Sequence, residues 1–338
     1  MGKRRREQED KGEGEGKPEK CGKFAVEKIK KGLVNDAVKC KPKRVPKVPP
    51  YLPALPLLCG AFGVCKSGKS NALVNLIAKY CSLGCINLLY CISPTYDSNA
   101  SLQTLPFIDE SEEDDNGKRT GFRGIFTDPH HSVEALDTII EHIKEKNQEY
   151  KLEKEYKRIY KIWERGDKHK LNYEEFNLLA KENYRKPIKV PWPQPGIFID
   201  DMTHTELMAN TINNKLSHLS LHHRHLDGVG VSIFQAFQTF KAGMPKVVRT
   251  NISLILLFAT MNMKEIEEIY AEVSNGISFE TFKRLLFEAV KEPHGFLLIN
   301  KMVDDPARQF GINFDKVFVV DPNAERAKLL GVPQENQK

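Results

Sequence analysis

Residues 63–70 read Gly63-Val-Cys-Lys-Ser-Gly68-Lys69-Ser70 and match the phosphate-binding pattern G-x-x-x-x-G-K-[ST] without a gap. The glycines of such a loop let the backbone turn tightly, so that its N–H groups point inward at a triphosphate. The lysine reaches the outer phosphate oxygens, and the serine hydroxyl is a ligand for Mg²⁺. The motif therefore predicts that ATP and Mg²⁺ bind at Gly63, Val64, Cys65, Lys66, Ser67, Gly68, Lys69, Ser70 and Asn71.

The sequence on either side of the loop supports this interpretation. An apolar run of strand length, residues 55–62, precedes it, and residues 71–79 carry apolar side chains at helical spacing. Strand, loop and helix in this order bind phosphate because the helix directs its positive end at the same place. The alternative is a glycine-containing surface turn with an incidental lysine, which the flanking pattern disfavours.

The composition is that of a globular protein. The chain has 338 residues, 40% of them hydrophobic and 28% charged, which is enough for a full α/β core. No uninterrupted apolar run reaches the ~18–20 residues of a membrane span, and the charged N-terminus lacks the apolar stretch of a secretory signal. We therefore expect an intracellular protein without a membrane partner.

The seven cysteines are an odd number, which favours reduced thiols that pack as small core residues. Cys81 and Cys85 are spaced like half a zinc site, but no second cysteine pair at ligand spacing accompanies them. The sequence therefore disfavours a zinc site.

The net charge of +6 is concentrated at the N-terminus. Residues 1–50 contain 16 Lys and Arg against 8 Asp and Glu and have few aromatic residues, which predicts a basic, disordered extension. Basic clusters at residues 3–6 and 41–44 are equally consistent with a nuclear-import signal, a nucleic-acid-binding arm or a solvated tail. The remaining chain is predicted to form one nucleotide-binding domain, residues 51–330, and a short tail, residues 331–338.

Strand and helix patterns alternate from residue 55 onward and predict an α/β fold, with a mostly parallel sheet and helices on both faces. The predicted strands are residues 55–62, 86–93, 124–127, 196–201, 228–234, 252–258, 295–300 and 316–320. Helices are expected near residues 205–221, 263–272 and 278–291. Residues 132–185 are strongly charged and have few apolar side chains, so we expect a helical insertion on the surface.

A second part of the nucleotide site is expected where an apolar strand ends in Ile197-Phe-Ile-Asp200-Asp201. Asp200 is predicted to hold Mg²⁺ together with Ser70, and Asp201 to act as general base on the attacking water. The alternative is a strand that ends in an acidic turn. Gln235 and Gln238 follow in the next strand, and either amide offers the donor and the acceptor needed to orient that water.

Four histidines, at positions 218, 222, 223 and 225, lie close together in the sequence. No carboxylate or cysteine completes a convincing metal site with them, and H-E-x-x-H is absent. A polar helix end is the favoured interpretation.

The order and spacing of these motifs resemble the FtsK–HerA superfamily of DNA-pumping P-loop ATPases. Within it the chain is most similar to the genome-packaging ATPases of poxviruses and other large DNA viruses, virophages and Polinton-like elements. The resemblance covers residues 52–320 and is strongest over residues 224–238 and 244–251 and the strand that ends at Phe258. Ser93-Pro-Thr95 and the charged insertion also fit the viral branch.

The resemblance implies a RecA-like fold and several residue roles. Gln238 becomes the sensor in preference to Gln235. Arg224 resembles an arginine finger that acts on the γ-phosphate of a neighbouring subunit, and Arg249 is the competing candidate. The long basic tail and the second glutamine depart from the family's pattern.

The resemblance also implies partners: a homo-oligomeric ring, double-stranded DNA, and a capsid portal or vertex protein at virion assembly sites in the host cytoplasm or nucleus. The expected activity is ATP hydrolysis that drives DNA into a virus capsid. A cellular or plasmid DNA pump is the alternative within the superfamily.

Other classes of protein fit less well. A GTPase switch would carry N-K-x-D, whereas Asn300-Lys-Met-Val has no aspartate at the fourth place. The reaction of a nucleotide kinase would not account for the presence of Asp200, Asp201 and Gln238 together. A DNA-binding scaffold would have no use for an intact P-loop.

Overall fold

The computed structural model describes residues 19–21, 24–26, 48–49, 52–113, 119–211, 213–241, 243–260, 262–273, 276–321 and 323–325. The chain divides into two units, Met1–Val45 and Pro46–Lys338. In the first unit, β1 (Glu19–Cys21) pairs antiparallel with β2 (Phe24–Val26). Most of the predicted extension, both of its basic clusters and the predicted tail lie outside the described residues.

A nine-stranded sheet forms the centre of the second unit. Its strands are β3 (Leu58–Phe62), β4 (Leu88–Ile92), β7 (Ile125–Phe126), β8 (Pro195–Asp200), β9 (Ser232–Phe237), β10 (Leu254–Phe258), β11 (Phe296–Asn300), β12 (Phe310–Ile312) and β13 (Lys316–Val317). Two further strands, β5 (Glu112–Glu113) and β6 (Arg119–Thr120), pair only with each other. The order across the sheet is β13-β12-β11-β10-β3-β9-β8-β4-β7. The six strands from β10 to β7 run parallel, and the other three are antiparallel additions.

Helices cover both faces of this sheet. They are α1 (Lys69–Ser82), α2 (Ser132–Glu164), α3 (Tyr173–Lys181), α4 (Lys215–His222), α5 (Lys246–Asn251), α6 (Met263–Val273) and α7 (Phe279–Ala289). Because side chains of a strand alternate between faces, Phe234 of β9 packs with Ile77 of α1, whereas Ile233 packs with the cluster that includes Ile269 of α6. The predicted α/β class, with a mostly parallel sheet and two covered faces, is confirmed. Within the described residues, no helix has the length and apolar character that a bilayer crossing requires.

Strand β9 begins four residues later than the sequence pattern suggests. Gly228 and Gly230 have φ of 79° and 78°, a left-handed conformation that ends one turn and postpones the strand to Ser232. The strand then runs on to Phe237, so Gln235 lies inside β9 instead of at its end.

The expected surface insertion is only partly on the surface. The first turns of α2 bury Ala135, Leu136, Ile139 and Ile143 in the main core, so the expectation is wrong for this part. These side chains follow a helical spacing that the surrounding charges mask. The second half of α2 instead packs with α3 around a separate small cluster: Tyr156, Ile159, Tyr160, Leu171 and Leu179.

Candidate active site

The glycine-rich loop joins β3 to α1 at the carboxyl edge of the parallel strands. Gly63 has φ 154° and Gly68 has φ 104°, backbone conformations that favour glycine. A Cβ on Gly63 would lie 2.6 Å from the Cβ of Phe258, so this position also has no room for a side chain. The Gly63 N–H donates to the carbonyl of Phe237 at 3.3 Å, which places the loop beside the end of β9.

Lys69, the first residue of α1, turns its side chain into the loop. Its Nζ donates to the carbonyl oxygens of Gly63 at 2.9 Å and Val64 at 2.7 Å, and only 8% of the residue is exposed. Burial lowers the pKa of Lys69, and the nearby Asp200 carboxylate opposes this shift. The ammonium is therefore held at the mouth of the loop, where phosphate oxygens would meet it.

Ser70 and Asp200 meet directly although 130 residues separate them. The Ser70 hydroxyl donates to Asp200 Oδ2 at 2.6 Å. Burial of Asp200 at the end of β8 raises its pKa, and the hydrogen bond from Ser70 works in the opposite direction. One hydroxyl and one carboxylate at this spacing fit Mg²⁺, which binds one or two protein oxygens and takes its other ligands from water and phosphate.

Asp201 follows β8 and differs from its neighbour in both backbone and exposure. Its φ is 53°, a left-handed conformation that is unfavourable for a residue with a side chain, and it is exposed. The carboxylate is thus presented to solvent at the edge where Asp200 is buried. This arrangement suits a general base that acts on water. That role of Asp201 remains a prediction.

The structure separates the two candidate glutamines. Gln235 is fully buried within β9, and neither amide atom has a hydrogen-bond partner among the described residues. Gln238 is the first residue beyond β9 and is exposed, directly after the Phe237 carbonyl that contacts the loop. Only Gln238 is therefore brought to the candidate site.

Arg249 is enclosed by its own subunit. In α5 its Nη1 donates to the carbonyls of Lys241 at 2.9 Å and Met244 at 2.8 Å, and its Nε lies 3.3 Å from Glu272 Oε2. These bonds tie the segment after Gln238 to α5 and α6. The geometry favours a positioning role for Arg249 over that of an arginine finger.

Arg224 is exposed in the connection between α4 and β9. Its carbonyl packs against Gly230, two residues before β9, so closely that a Cβ on Gly230 would lie 3.1 Å from the oxygen. From Ser232 to Phe237 the strand makes five steps of about 3.3 Å each, roughly 17 Å in all. Arg224 and the loop therefore lie at opposite edges of the sheet, beyond contact within one chain.

Two residues near the site were not predicted from the sequence. His294, between α7 and β11, places its Nδ1 3.1 Å from the carbonyl oxygen of Ser67. Glu265 of α6 accepts hydrogen bonds from the Phe240 N–H and the Thr260 hydroxyl, both at 3.1 Å, and so links the segments that follow β9 and β10. Ser67 lies 227 positions from His294, and Phe240 lies 25 positions from Glu265, so no local sequence pattern indicates either contact.

Within the part of the chain that the structure describes, the candidate ligands of a metal ion do not form a cluster away from Ser70 and Asp200. Across the described ranges, no group of three or more His, Cys, Asp and Glu residues is placed to hold an ion. Of the four neighbouring histidines, His223 is buried, and its Nδ1 lies 2.8 Å from the Ser220 carbonyl oxygen. Burial lowers the pKa of His223, which is the behaviour of a packed imidazole at a helix end.

No protein-family model matches the chain, and no curated protein matches it. Among solved structures, it is similar to the genome packaging NTPase B204 from Sulfolobus turreted icosahedral virus 2 in complex with ATP-gammaS. The identity is 13% and the TM-score 0.42, over 76% of this chain and 96% of that chain. It is also similar to EssC (ATPases 2 and 3) from Geobacillus thermodenitrificans, with 13% identity and a TM-score of 0.40 over 82% of this chain and 42% of that chain. The pCW3 conjugation coupling protein TcpA with ATPgS is a third similar structure, with 14% identity and a TM-score of 0.38 over 82% of this chain and 64% of that chain.

Proposed function

We propose that this protein is an ATPase that uses ATP hydrolysis to move double-stranded DNA. The observation that carries the ATPase part is the 2.6 Å hydrogen bond from Ser70 to Asp200, beside the buried Lys69. Two motifs from distant parts of the chain converge at one edge of the sheet, as a magnesium–nucleotide site requires.

The residues divide the chemistry between them. Ser70 and Asp200 would hold Mg²⁺, which supplies positive charge at the phosphates when it is bound. Lys69 neutralises charge on the outer phosphate oxygens. Asp201 accepts the proton of the attacking water, and Gln238 orients that water through its amide. The Arg224 guanidinium completes the site of the neighbouring subunit.

The DNA part of the proposal is supported by the resemblance of residues 224–238 and 244–251 to the DNA-pumping ATPases. The exposed side of α2 adds physical support, since Lys154, Lys157 and Lys161 follow one another at helical spacing, and Lys189 lies beside the first two. Lysines in such a row attract phosphates without reading sequence, which is what a translocating motor needs.

We further propose that the moved DNA is a viral genome and that a ring of subunits carries it into a capsid. The Ser93-Pro-Thr95 motif and the helical insertion before Asp200, both features of the viral branch, support this choice. A cellular or plasmid DNA pump is the second candidate. DNase protection of labelled DNA in the presence of capsids distinguishes the two.

The test of the ATPase is phosphate release from ATP with and without double-stranded DNA. We expect DNA to stimulate turnover and Lys69→Ala to remove nearly all of it without unfolding the protein, because the outer phosphate charge is then unopposed. Preference for GTP, or transfer of phosphate to a nucleotide instead of water, would contradict the proposal. Unchanged turnover in Lys69→Ala would place the site elsewhere.

A further inference from the structure

His294 contacts the phosphate-binding loop from the side opposite to Asp200. Its Nδ1 lies 3.1 Å from the Ser67 carbonyl oxygen, and a Cβ on Gly68 would lie 3.2 Å from the imidazole. The side chain is nevertheless exposed, and no described residue forms a hydrogen bond with its Nε2. One edge of the ring is therefore fixed on the loop, and the other is available to a ligand.

The backbone at His294 is held in an unfavourable conformation. Its φ is 62°, a left-handed value that a glycine would adopt without strain. Such strain in a non-glycine residue concentrates at functional sites, where the identity of the side chain matters. The turn therefore holds an imidazole at a position where backbone geometry alone would favour glycine.

The strand order indicates which part of a nucleotide would reach His294. Ser70 and Asp200 would hold Mg²⁺ where they meet, so the outer phosphates of a bound nucleotide would lie on the β8 side of the loop. Strand β11, which His294 precedes, lies on the other side of β3, beyond β10. A triphosphate that directs its γ-phosphate toward β8 extends its nucleoside toward β10 and β11.

A second aromatic group lies at the same edge of the sheet. The backbone and side chain of Asn313 both bond to the backbone of Phe296, at 3.0 and 3.1 Å, which fixes the turn after β12 beside β11. The ring of Phe314, half-buried in this turn, packs 5.0 Å from that of Phe296. Aromatic side chains with a few polar atoms are the usual lining of a nucleoside site.

We propose that His294 binds the purine nucleoside of ATP, with Nδ1 on Ser67 and the remainder of the ring against the ribose and base. This rests on the ATP site proposed above and supplies its nucleoside side, which the P-loop motif does not contain. His294 would then distinguish nucleotides from other polyphosphates, while Lys69 and Ser70 bind both.

The test compares the affinities of ATP and inorganic tripolyphosphate, each with Mg²⁺, by calorimetry. In His294→Ala we expect ATP to bind about five- to tenfold more weakly and tripolyphosphate to bind as before, because only ATP has a nucleoside to lose. His294→Asn should behave alike, since asparagine accepts the left-handed backbone and keeps the turn intact. His169→Ala, which removes an exposed histidine from the insertion, is the matched control and should change neither affinity.

Three results would overturn the inference. Equal weakening of both ligands would show that the imidazole only supports the loop through Ser67. Unchanged ATP affinity in both His294 variants would show that it makes no nucleoside contact. If the wild-type protein bound neither ligand, the proposed ATP site itself would be wrong. That result differs from a loss of binding that is confined to the His294 variants.

Discussion

At the scale of single residues, two adjacent aspartates have different surroundings. Asp200 is buried and accepts the Ser70 hydroxyl, whereas Asp201 is exposed on a left-handed backbone. A carboxylate beside a hydroxyl at a buried strand end suits a metal, and an exposed one suits proton transfer to or from water. The two residues are therefore expected to fail in different ways when changed.

Asp201→Asn should bind Mg²⁺ and ATP normally but hydrolyse ATP about 10²- to 10⁴-fold more slowly, because the general base is lost. Asp200→Asn should weaken ATP binding only when Mg²⁺ is present, in addition to slowing hydrolysis. Titrations of ATP with and without Mg²⁺, combined with single-turnover rates, check both. The opposite pattern would exchange the two roles.

Arg249→Met should lower the free energy of unfolding by about 1–3 kcal/mol, because the carbonyls of Lys241 and Met244 lose a buried charged donor. Turnover should also fall, since the segment after Gln238 loses its anchor. Urea denaturation measures the first effect and phosphate release the second. Arg224→Ala, which removes an exposed guanidinium, is the control for stability; an equally stable Arg249→Met would argue against the positioning role.

Sequence patterns indicated the loop, Asp200 and Asp201 as candidates, because each is a local feature at the end of an apolar strand. They could not separate Gln235 from Gln238, since the start of β9 depends on two glycines whose left-handed conformation the pattern does not reveal. The contact of His294 with Ser67 joins residues 227 positions apart and leaves no local signal. Tertiary partners of this kind are visible only once the sheet is assembled.

At the scale of elements, α2 serves two cores. Ile139 in its first half is buried against the main sheet, whereas Leu179 of α3 is buried in the small cluster around Tyr156 and Ile159. The apolar positions of the first half are few and lie among charged residues, so the high charge and low apolar content of the segment predicted that the whole helix lies on the surface. The short strand β12 was missed because three residues carry too little pattern.

Ile139→Ala and Leu179→Ala remove the same number of carbon atoms from fully buried positions and should have different effects. Ile139→Ala should destabilise the whole ATPase unit by about 2–5 kcal/mol. Leu179→Ala should open only the small cluster and spare basal turnover. Hydrogen exchange by mass spectrometry separates the two, because the second variant should lose protection only near residues 150–185. Global loss of protection in both would show that the two cores unfold as one.

At the scale of the whole molecule, the sheet holds Arg224 and the P-loop at opposite edges, roughly 17 Å of strand apart. A single chain therefore cannot bring this arginine to its own nucleotide. Under the proposed function, each active site is completed by a neighbour. Hydrolysis should then depend on assembly even though every subunit carries an intact loop.

Arg224→Ala should bind ATP normally and lose about 10³- to 10⁵-fold in hydrolysis, the contribution of arginine fingers in related chemistry. Mixing it with Lys69→Ala should restore part of the activity, because some interfaces then pair an intact loop with an intact arginine. Phosphate release across mixing ratios measures this, and Arg249→Met subunits should give no comparable rescue. Full activity of Arg224→Ala, or no rescue in confirmed mixed assemblies, would reject the role.

The opposite placement of these two groups also constrains symmetry. If Arg224 and the loop lie on separate surfaces of the proposed assembly, the contact between neighbours is heterologous, whereas in a two-fold dimer a single patch would have to contain both groups. In that heterologous case subunits would associate head to tail, and the assembly would close only if the rotation between neighbours divides the circle evenly; otherwise it would grow into a helical filament. Every subunit then faces the same way, so the two faces of the assembly differ. A polymer threaded through it would meet a different chemical surface on entering than on leaving, which gives movement a direction.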